Sequence, residues 1–286
     1  MTPPRERTVT MERILLGYDA GDGADAALDW VTERALRRRA RVEVVIVTNP
    51  FLQDQPRADG DLARAERRLR TADASLPIET ARIDGRMPRA LTAAATHADL
   101  LVVGADIGRP MREALHGWMS LRVSATATVP TCVVPSGWSE TRGPVTVGLA
   151  ADASSDGALA FAAAEGDAAG ETVRVLHAWS GPLPTRTLPA AASAAVSPPR
   201  DVRAQHEELL HDAVEGLHRD IPGLTVDPVL IHDNPVSALS RAARDSSLLV
   251  LGTHGRGVLA GGFFGSVGQD LIGRLPTPIA VVPSGR

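Results

Sequence analysis

The sequence predicts an α/β protein built from two tandem, doubly wound, parallel five-stranded sheets. The first observation is an internal repeat, because Val-Val-Pro-Ser-Gly occurs at residues 133–137 and again at 281–285. The second is that short aliphatic runs alternate with longer helix-like segments. The third is that these runs are continuously apolar, which is typical of strands covered by helices on both faces. Right-handed crossovers then give one Rossmann-like unit per repeat.

The first repeat contains five aliphatic runs separated by helix-like segments. Gly17 ends the first run and opens a small, acidic loop, which is typical of a turn from a strand into a helix. Strands are predicted at 13–18, 42–48, 77–83, 99–104 and 131–135. Helices are predicted at 24–39, 58–72, 88–97 and 117–127.

The second repeat follows the same order with one insertion. Leu28 corresponds to Leu159 at an offset of 131, whereas the Val-Val-Pro ends correspond at an offset of 148. The difference of 17 residues (148 minus 131) falls at 181–200, a segment rich in Pro, Ala, Ser and Thr that predicts a loop. Strands are predicted at 144–149, 172–178, 225–231, 247–252 and 279–282, and helices at 155–168, 200–219, 235–244 and 265–274. The two domains are therefore placed at 12–137 and 144–286.

The composition excludes several chemistries. All 30 basic residues are Arg, so the chain has no lysine for a Walker A phosphate loop or a Schiff base. A single Cys excludes an internal disulfide and a Cys-cluster zinc site. The net charge of -4 argues against nucleic-acid binding driven by phosphate neutralisation. The sequence has no long apolar run and no signal-like N-terminus, so we expect a cytoplasmic protein with no membrane partner.

A glycine-rich loop follows the fourth predicted strand of the second repeat. Its spacing is Gly252, then Gly255, then Gly265-Ser266 at the start of a helix. Glycine amides can form an anion-binding nest, and a helix start offers further unpaired N–H groups. Arg256 adds a positive charge. The spacing indicates a phosphate site at the carboxyl edge of the sheet, with the alternative that Ser266 only caps its helix.

This glycine spacing, the paired Val-Val-Pro ends and the duplicated layout resemble a tandem universal stress protein, over about residues 12–285. The resemblance implies the strand order 3-2-1-4-5 and a site for ATP or a related adenine nucleotide. It also implies pairing through the last strands, either between the two repeats as an internal pseudo-dimer or between chains as a homodimer. The family's adenine contact falls on the backbone of Ala178. Gly148, at the end of the first strand of this repeat, is a further binding candidate.

The first repeat departs from the glycine pattern. At the offset of 148, Ile107 corresponds to Gly255, and Trp118 corresponds to Ser266. A β-branched residue resists positive φ, and an indole offers no hydrogen-bond acceptor. Asp106 places a negative charge where phosphates would lie. We therefore expect the first repeat to be degenerate, with indole and acid filling the crevice that would hold a triphosphate.

At the position of the family's carboxylate after the first strand, the first repeat has an acid and the second repeat does not. The family has an Asp at the end of the first strand, near the nucleotide, and Asp19 matches it. The offset of 131 gives Ala150 in the second repeat, so the obvious carboxylate for positioning water is missing there. An Asp after a strand is also common as a turn or cap residue. Each repeat thus keeps one part of the family's site.

Three hypotheses about function remain open. The leading one is that the second repeat binds ATP or a related adenine nucleotide, with Mg²⁺, and acts as a stress-response regulator or sensor. The others are a nucleotide-free dimerisation or signalling scaffold and a slow ATP hydrolase, and no catalytic residue is assigned. No protein metal site is predicted either, because His206, His211 and His218 on one helix lack the i, i+4 spacing of helical zinc sites and suit exposed histidines.

Overall fold

The computed structural model describes residues 11–49, 55–106, 118–151, 155–180, 200–253, 268, 271–272 and 275–284. The chain forms two compact units, an N-terminal unit (Met1–Ser139) and a C-terminal unit (Glu140–Arg286). None of the helices among the described residues is long and apolar enough to cross a membrane.

The N-terminal unit has a parallel sheet with the order β3-β2-β1-β4-β5. Its strands are β1 (Glu12–Gly17), β2 (Ala40–Thr48), β3 (Ile78–Asp84), β4 (Leu100–Ala105) and β5 (Thr131–Pro135). Its helices are α1 (Asp22–Arg37), α2 (Gln55–Ala72), α3 (Arg89–Ala94) and α4 (Trp118–Thr126). Helices α1 and α2 contact each other on one face, and α3 and α4 contact each other on the opposite face.

The C-terminal unit repeats this plan with the order β8-β7-β6-β9-β10. Its strands are β6 (Val145–Gly148), β7 (Val173–Trp179), β8 (Val226–His232), β9 (Leu248–Gly252) and β10 (Ile279–Val282). Its helices are α5 (Asp156–Ala169), α6 (Arg200–Asp220) and α7 (Pro235–Ala243). Both units therefore have the order 3-2-1-4-5, which confirms the predicted fold class. The predicted loop at 181–200 and the predicted helix at 265–274 fall almost entirely outside the described residues.

Burial explains why the strands read as continuous apolar runs. Strands β4 and β9 lie inside their sheets, and all of their residues except Gly104 and Gly252 are buried. Every residue of β5 and β10 is buried as well. The edge strands β3 and β8 are only partly covered, and each carries charged residues such as Arg82 and Asp227. The predicted two-sided core therefore lies along the inner strands of each sheet.

The start of α1 lies directly against the end of β4, and this contact shapes the N-terminal crevice. A Cβ atom on Gly104 would stand 2.1 Å from the carbonyl carbon of Gly23, so only glycine fits there. Asp22 and Asp25 lie in the first turn of α1, where the helix dipole stabilises negative charge. The backbone amides at the start of this helix thus reach the sheet edge where ligands bind in this class of fold.

Several element ends differ from the sequence-based predictions. Helix α1 ends at Arg37 rather than at residue 39, because Arg38 is already extended (φ -132, ψ 151). Strand β2 begins at Ala40 rather than at residue 42. The amide of Glu12 donates to the Arg39 carbonyl at 2.8 Å, so the pairing of β1 with β2 begins there. The predicted helix at 88–97 ends as an α-helix at residue 94 and continues as a short 3-10 turn.

Candidate functional site

Each unit has a candidate crevice at the carboxyl edge of its sheet, where loops leave the first, second and fourth strands. In the N-terminal unit these strands end at Gly17, Thr48 and Ala105. In the C-terminal unit they end at Gly148, Trp179 and Gly252. Because the strands within each sheet are parallel, these ends lie side by side along one edge.

The N-terminal crevice contains a cavity of about 370 Å³. Aliphatic side chains form most of its wall: Val45, Val47, Leu91, Val103 and Val123. Asp19, Asp106 and Ser120 form its polar part. The expectation that indole and acid fill this crevice stays a prediction, because the side chain of Trp118 lies outside the described residues. The size and lining are typical of a small-molecule site.

Asp106 contacts the start of α1 from the end of β4. Its side chain is 8% exposed, and its Oδ1 accepts a hydrogen bond from the Gly23 amide at 3.0 Å. In the loop before the helix, Asp19 Oδ1 accepts from the Gly21 amide at 2.9 Å. Two amides that could otherwise bind an anion here are therefore bonded to the chain's own carboxylates.

Tyr18 lies beside these acids and joins the cavity to α1 and α2. Its hydroxyl donates to Asp25 Oδ1 at 2.5 Å and accepts from Arg64 Nη2 at 2.8 Å. Burial raises the pKa of Tyr18 to about 12, and the hydrogen bond to Asp25 adds to the rise. The phenol is therefore a neutral, oriented wall of the cavity at ordinary pH.

In the C-terminal unit the structure brings together three of the predicted binding residues. Gly148, Ala178 and Gly252 lie at or near the carboxyl ends of β6, β7 and β9. The other predicted binding residues, Gly255, Arg256, Gly265 and Ser266, lie outside the described residues. Gly148 pairs in register with Leu176, so Ala178 lies two residues beyond the last β6–β7 pair.

The turn after β6 differs in chemistry from its counterpart after β1. The amide of Ala150 donates to Ser155 Oγ at 2.8 Å, and Ser155 is buried at the start of α5. A neutral hydroxyl therefore accepts an amide hydrogen in this turn, whereas the Asp19 carboxylate accepts one in the turn after β1. The described part of this turn brings no carboxylate to the crevice.

His177 and His206 form a hydrogen-bonded pair near the carboxyl end of β7. His177 is 3% exposed, and its Nδ1–H donates to the Leu149 carbonyl at 2.8 Å. Its Nε2 then accepts from His206 Nδ1–H at 2.8 Å, because a neutral imidazole has one donor and one acceptor. His206 also stacks on Trp179, with ring centroids 4.6 Å apart. Partial burial lowers the pKa of His206, and the neighbouring His177 lowers it further.

The interpretation of His206 as an exposed helix histidine was therefore wrong. A sequence signal was available, since His206 lies one turn before Leu210, and both Leu210 and Leu217 are buried on α6. His211, by contrast, lies with its Nε2 3.2 Å from Glu215 Oε1, and both side chains are well exposed. Among the described residues, no group of three or more His, Cys, Asp or Glu side chains could hold a metal ion.

Comparison with known sequences gives a consistent result for both units. A sequence model of the universal stress protein family matches residues 10–135 and again residues 141–283. A universal stress protein of Mycobacterium tuberculosis is 26% identical over 305 residues, which cover 94% of this chain and 95% of that protein. A universal stress protein of Mycobacterium bovis is 24% identical over 303 residues, covering 98% and 99% of the two chains.

Solved structures support the same architecture. A universal stress protein from Archaeoglobus fulgidus superimposes with a TM-score of 0.70 at 16% identity, covering 96% of each chain. A further structure, from Pseudomonas aeruginosa, gives a TM-score of 0.63 at 15% identity, covering 96% of this chain and 94% of its own. At these identities the likeness concerns the fold alone.

Proposed function

The chain belongs to the universal stress protein family, and we propose that its C-terminal unit binds ATP or a related adenine nucleotide, with Mg²⁺. In this proposal the bound nucleotide biases a conformation or an interface, and the protein acts as a cytoplasmic stress-response regulator or sensor. Pairing through the last strands stays a prediction alongside it.

The observation that carries the proposal is the position at which the glycine loop begins. Gly252 ends β9 at the same sheet edge as Gly148 and Ala178. The sequence then continues to Gly255 and to Gly265-Ser266, the spacing that suggests an anion nest. The phosphates would therefore lie beyond β9, and the amides of the glycine loop would bind them.

The position of β7 supports an adenine contact through the backbone. Ala178 lies beyond the last β6–β7 register pair, so its backbone extends past the end of the first strand. A base lying there would meet main-chain donors and acceptors, which do not depend on the side chain at this position. Because Ala150 offers no carboxylate, Mg²⁺ would be held chiefly by the nucleotide's phosphates.

Equilibrium binding of labelled ATP to the full chain tests the proposal. Gly265→Asp places a carboxylate in the proposed phosphate loop, and we expect binding to be lost because like charges repel at close range. Gly117→Asp is the matched control, since residue 117 is the first-repeat counterpart of residue 265 at the offset of 148. The control should leave ATP affinity unchanged.

Two results would reject this function. If wild-type protein binds no ATP, the chain is better described as a nucleotide-free dimerisation or signalling scaffold. If Gly117→Asp abolishes binding and Gly265→Asp does not, the nucleotide lies in the N-terminal unit. Phosphate release above a protein-free control would be needed before any hydrolase activity is considered, because the second repeat lacks the family's carboxylate at Ala150.

A further inference from the structure

The pair formed by His177 and His206 connects three parts of the C-terminal unit. His177 lies on β7, and its Nδ1 lies 2.8 Å from the carbonyl oxygen of Leu149, which follows β6. Its Nε2 lies 2.8 Å from Nδ1 of His206, which belongs to α6. The pair therefore joins α6 to the carboxyl edge of the sheet, at the ends of β6 and β7.

The Leu149 carbonyl fixes the position of each proton in this chain of bonds. A carbonyl oxygen can only accept, so the hydrogen of neutral His177 is on Nδ1, and its Nε2 is an acceptor. His206 must then donate from Nδ1, which places the lone pair of its own ring on Nε2. A proton taken up by the pair therefore adds to Nε2 of His206 and makes that ring a cation. A second proton, on His177, would set two N–H groups and two positive charges against each other at 2.8 Å.

The ring of His206 lies in a partly dry environment that includes other rings. It stacks on Trp179 with centroids 4.6 Å apart, and His232 lies 4.4 Å from Trp179 by the same measure. An indole face attracts a cation, whereas loss of hydration disfavours one. The pKa of His206 is lowered, with burial as the larger cause and His177 as the second. The loss of hydration therefore outweighs the attraction of the indole.

The charged groups around His206 identify His177 as the neighbour that acts on its proton. On α6 itself, Arg203 and Glu207 pair with each other on the exposed side, with Nε and Oε1 2.7 Å apart. Helix α6 packs mainly against β7, β8 and α5. The titratable residues of these three elements are Arg174, His177, Asp227, His232, Asp156, Glu165 and Asp167. Among these described groups, His177 is the one whose charge lowers the pKa of His206.

We propose that the His177–His206 pair is a proton-sensitive latch. While both rings are neutral, the latch holds α6 against the carboxyl ends of β6 and β7, and mild acid releases α6 from this edge. Ala178 lies between His177 and Trp179, so release would also loosen the backbone at the end of β7. The proposal concerns the docking of α6 and does not depend on nucleotide binding.

The direction of the pH dependence follows from the lowered pKa of His206. When α6 is undocked, His206 regains the ordinary histidine pKa of about 6.5, so the undocked state takes up the proton first. The contribution of the latch is therefore complete above about pH 6.5 and is lost as the pH falls below that value.

Histidine-labelled NMR and backbone hydrogen exchange of the full chain test the latch, both without nucleotide. The ring signals of the 8 histidines are followed as the pH falls, and His206→Asn assigns that of His206. Protection of the α6 amides, corrected for the intrinsic effect of pH on exchange, is compared at about pH 7.5 and about pH 5.5. Helix α2, which contains no histidine, is the internal reference.

We expect native His206 to titrate below the ordinary value and α6 to lose protection relative to α2 at the lower pH. The loss should be severalfold and at most about tenfold, since one group with a pKa of about 6.5 is about ten parts protonated to one part neutral at about pH 5.5. His206→Asn keeps an N–H donor two bonds from Cβ, as in Nδ1, but cannot take up the proton. Its α6 protection should therefore be the same at both pH values.

His211→Asn is the matched control, because His211 lies on the same helix with its side chain 68% exposed. It should keep the wild-type response to pH. The proposal is overturned if native His206 titrates at or above the ordinary value, if wild-type α6 is equally protected at both pH values, or if His206→Asn keeps the acid response of His211→Asn. The first two measurements need no variant, and none of the three outcomes bears on ATP binding.

Discussion

The two units share one strand order, yet the acceptors that the structure describes in the turns after their first strands differ in charge. In the N-terminal unit, Asp19 and Asp106 bond the amides that precede and begin α1. In the C-terminal unit, the corresponding turn is closed by a hydroxyl, because Ser155 accepts from the Ala150 amide. The counterpart of Asp106 at the offset of 148 is His254, which carries no negative charge.

This difference shows that the charge at the sheet edge can change while the strand order stays the same. A parallel sheet with a helix starting at its carboxyl edge presents amides that suit an anion. One carboxylate on the neighbouring strand is enough to satisfy such an amide from within the protein. A duplicated chain can therefore keep one strand order while the groups that bond these amides differ between its repeats.

The largest effect is expected where α1 meets β4. Gly104→Ala places a Cβ atom 2.1 Å from the Gly23 carbonyl carbon and 2.4 Å from the Ala24 nitrogen, both of which are backbone atoms. Since backbone cannot rotate away, we expect a loss of about 3 kcal/mol or more in the free energy of unfolding. Urea denaturation would measure the loss, and hydrogen exchange would locate it in the N-terminal unit.

Gly60→Ala is the control for this substitution. Gly60 lies within α2, and a Cβ atom added there would meet no heavy atom within 4 Å. Alanine should therefore stabilise the helix by about 0.5–1 kcal/mol. If the two variants unfold alike, the close approach of α1 and β4 is not a constraint, and the amide contact with Asp106 loses its structural basis.

Much of this fold follows from the sequence alone. Continuous aliphatic runs identify the buried strands, and the two offsets identify the duplication, because both signals are local or repeated. The ends of α1 and β2 were less predictable, since a backbone bond from Glu12 to Arg39 decides them. Contacts between distant residues, such as Asp106 with Gly23, arise only when the strands are assembled.

The candidate sites likewise combine features that the sequence predicts with features that only the folded structure shows. The acid at position 106 was visible in the sequence as an obstacle to phosphate, but the open cavity beside it depends on how α3 and α4 cover the sheet. The pair His177 and His206 was missed because the histidines were compared along one helix rather than across to β7. Alternation places His177 and Trp179 on the same face of β7, towards α6.

A buried ion pair found in the N-terminal unit gives the next largest effect. Arg34 binds Glu12 through both ends of its guanidinium, at 2.9 and 2.8 Å, and its side chain is 6% exposed. Arg34→Met should lower the free energy of unfolding by about 2–3 kcal/mol, because it leaves a partly buried carboxylate without its cation. Urea denaturation of the full chain measures this.

The exposed pair between Arg13 and Asp99 is the matched control for Arg34→Met. Its side chains are 55% and 46% exposed, so Arg13→Met should leave stability nearly unchanged. The counterparts of Glu12 and Arg34 at the offset of 131 are Gly143 and Glu165, so this pair belongs to one repeat only. Equal losses in the two variants would show that burial does not distinguish the pairs.

A smaller effect is expected in the C-terminal unit, where a polar pair connects β6 to Ser246, which lies between α7 and β9. Thr146 Oγ1 lies 2.7 Å from Ser246 Oγ, and Ser246 donates onward to the Ala242 carbonyl. Thr146→Val should cost about 1 kcal/mol, because one buried hydrogen bond is lost while the serine keeps another. The first-repeat counterparts, Leu15 and Ala98, are apolar.

A double-mutant cycle with Ser246→Ala isolates this bond. The cost of both substitutions together should fall short of the sum of the single costs by about 1 kcal/mol, since each single variant already removes the same interaction. Strictly additive losses would mean that the two hydroxyls do not stabilise each other, and that the polar link is not a feature that separates the units.

The smallest effect concerns Tyr18, whose counterpart at the offset of 131 is Leu149. The pKa of Tyr18 is raised from 10.0 to about 12, mainly by burial and then by its bond to Asp25. A raised pKa means that the unfolded chain loses the phenolic proton first. Stability is therefore unaffected at neutral pH and falls as the pH rises from about 10 towards about 12.

Ultraviolet absorbance of the phenolate reports this directly, because the chain contains 1 tyrosine. Native protein should ionise near pH 12, and protein unfolded in urea near pH 10. Asp25→Asn should lower the native midpoint, since the neutral amide no longer opposes the phenolate. Identical native and unfolded midpoints would show that Tyr18 is not enclosed, and the N-terminal cavity would then lose the neutral wall that separates its chemistry from that of the C-terminal crevice.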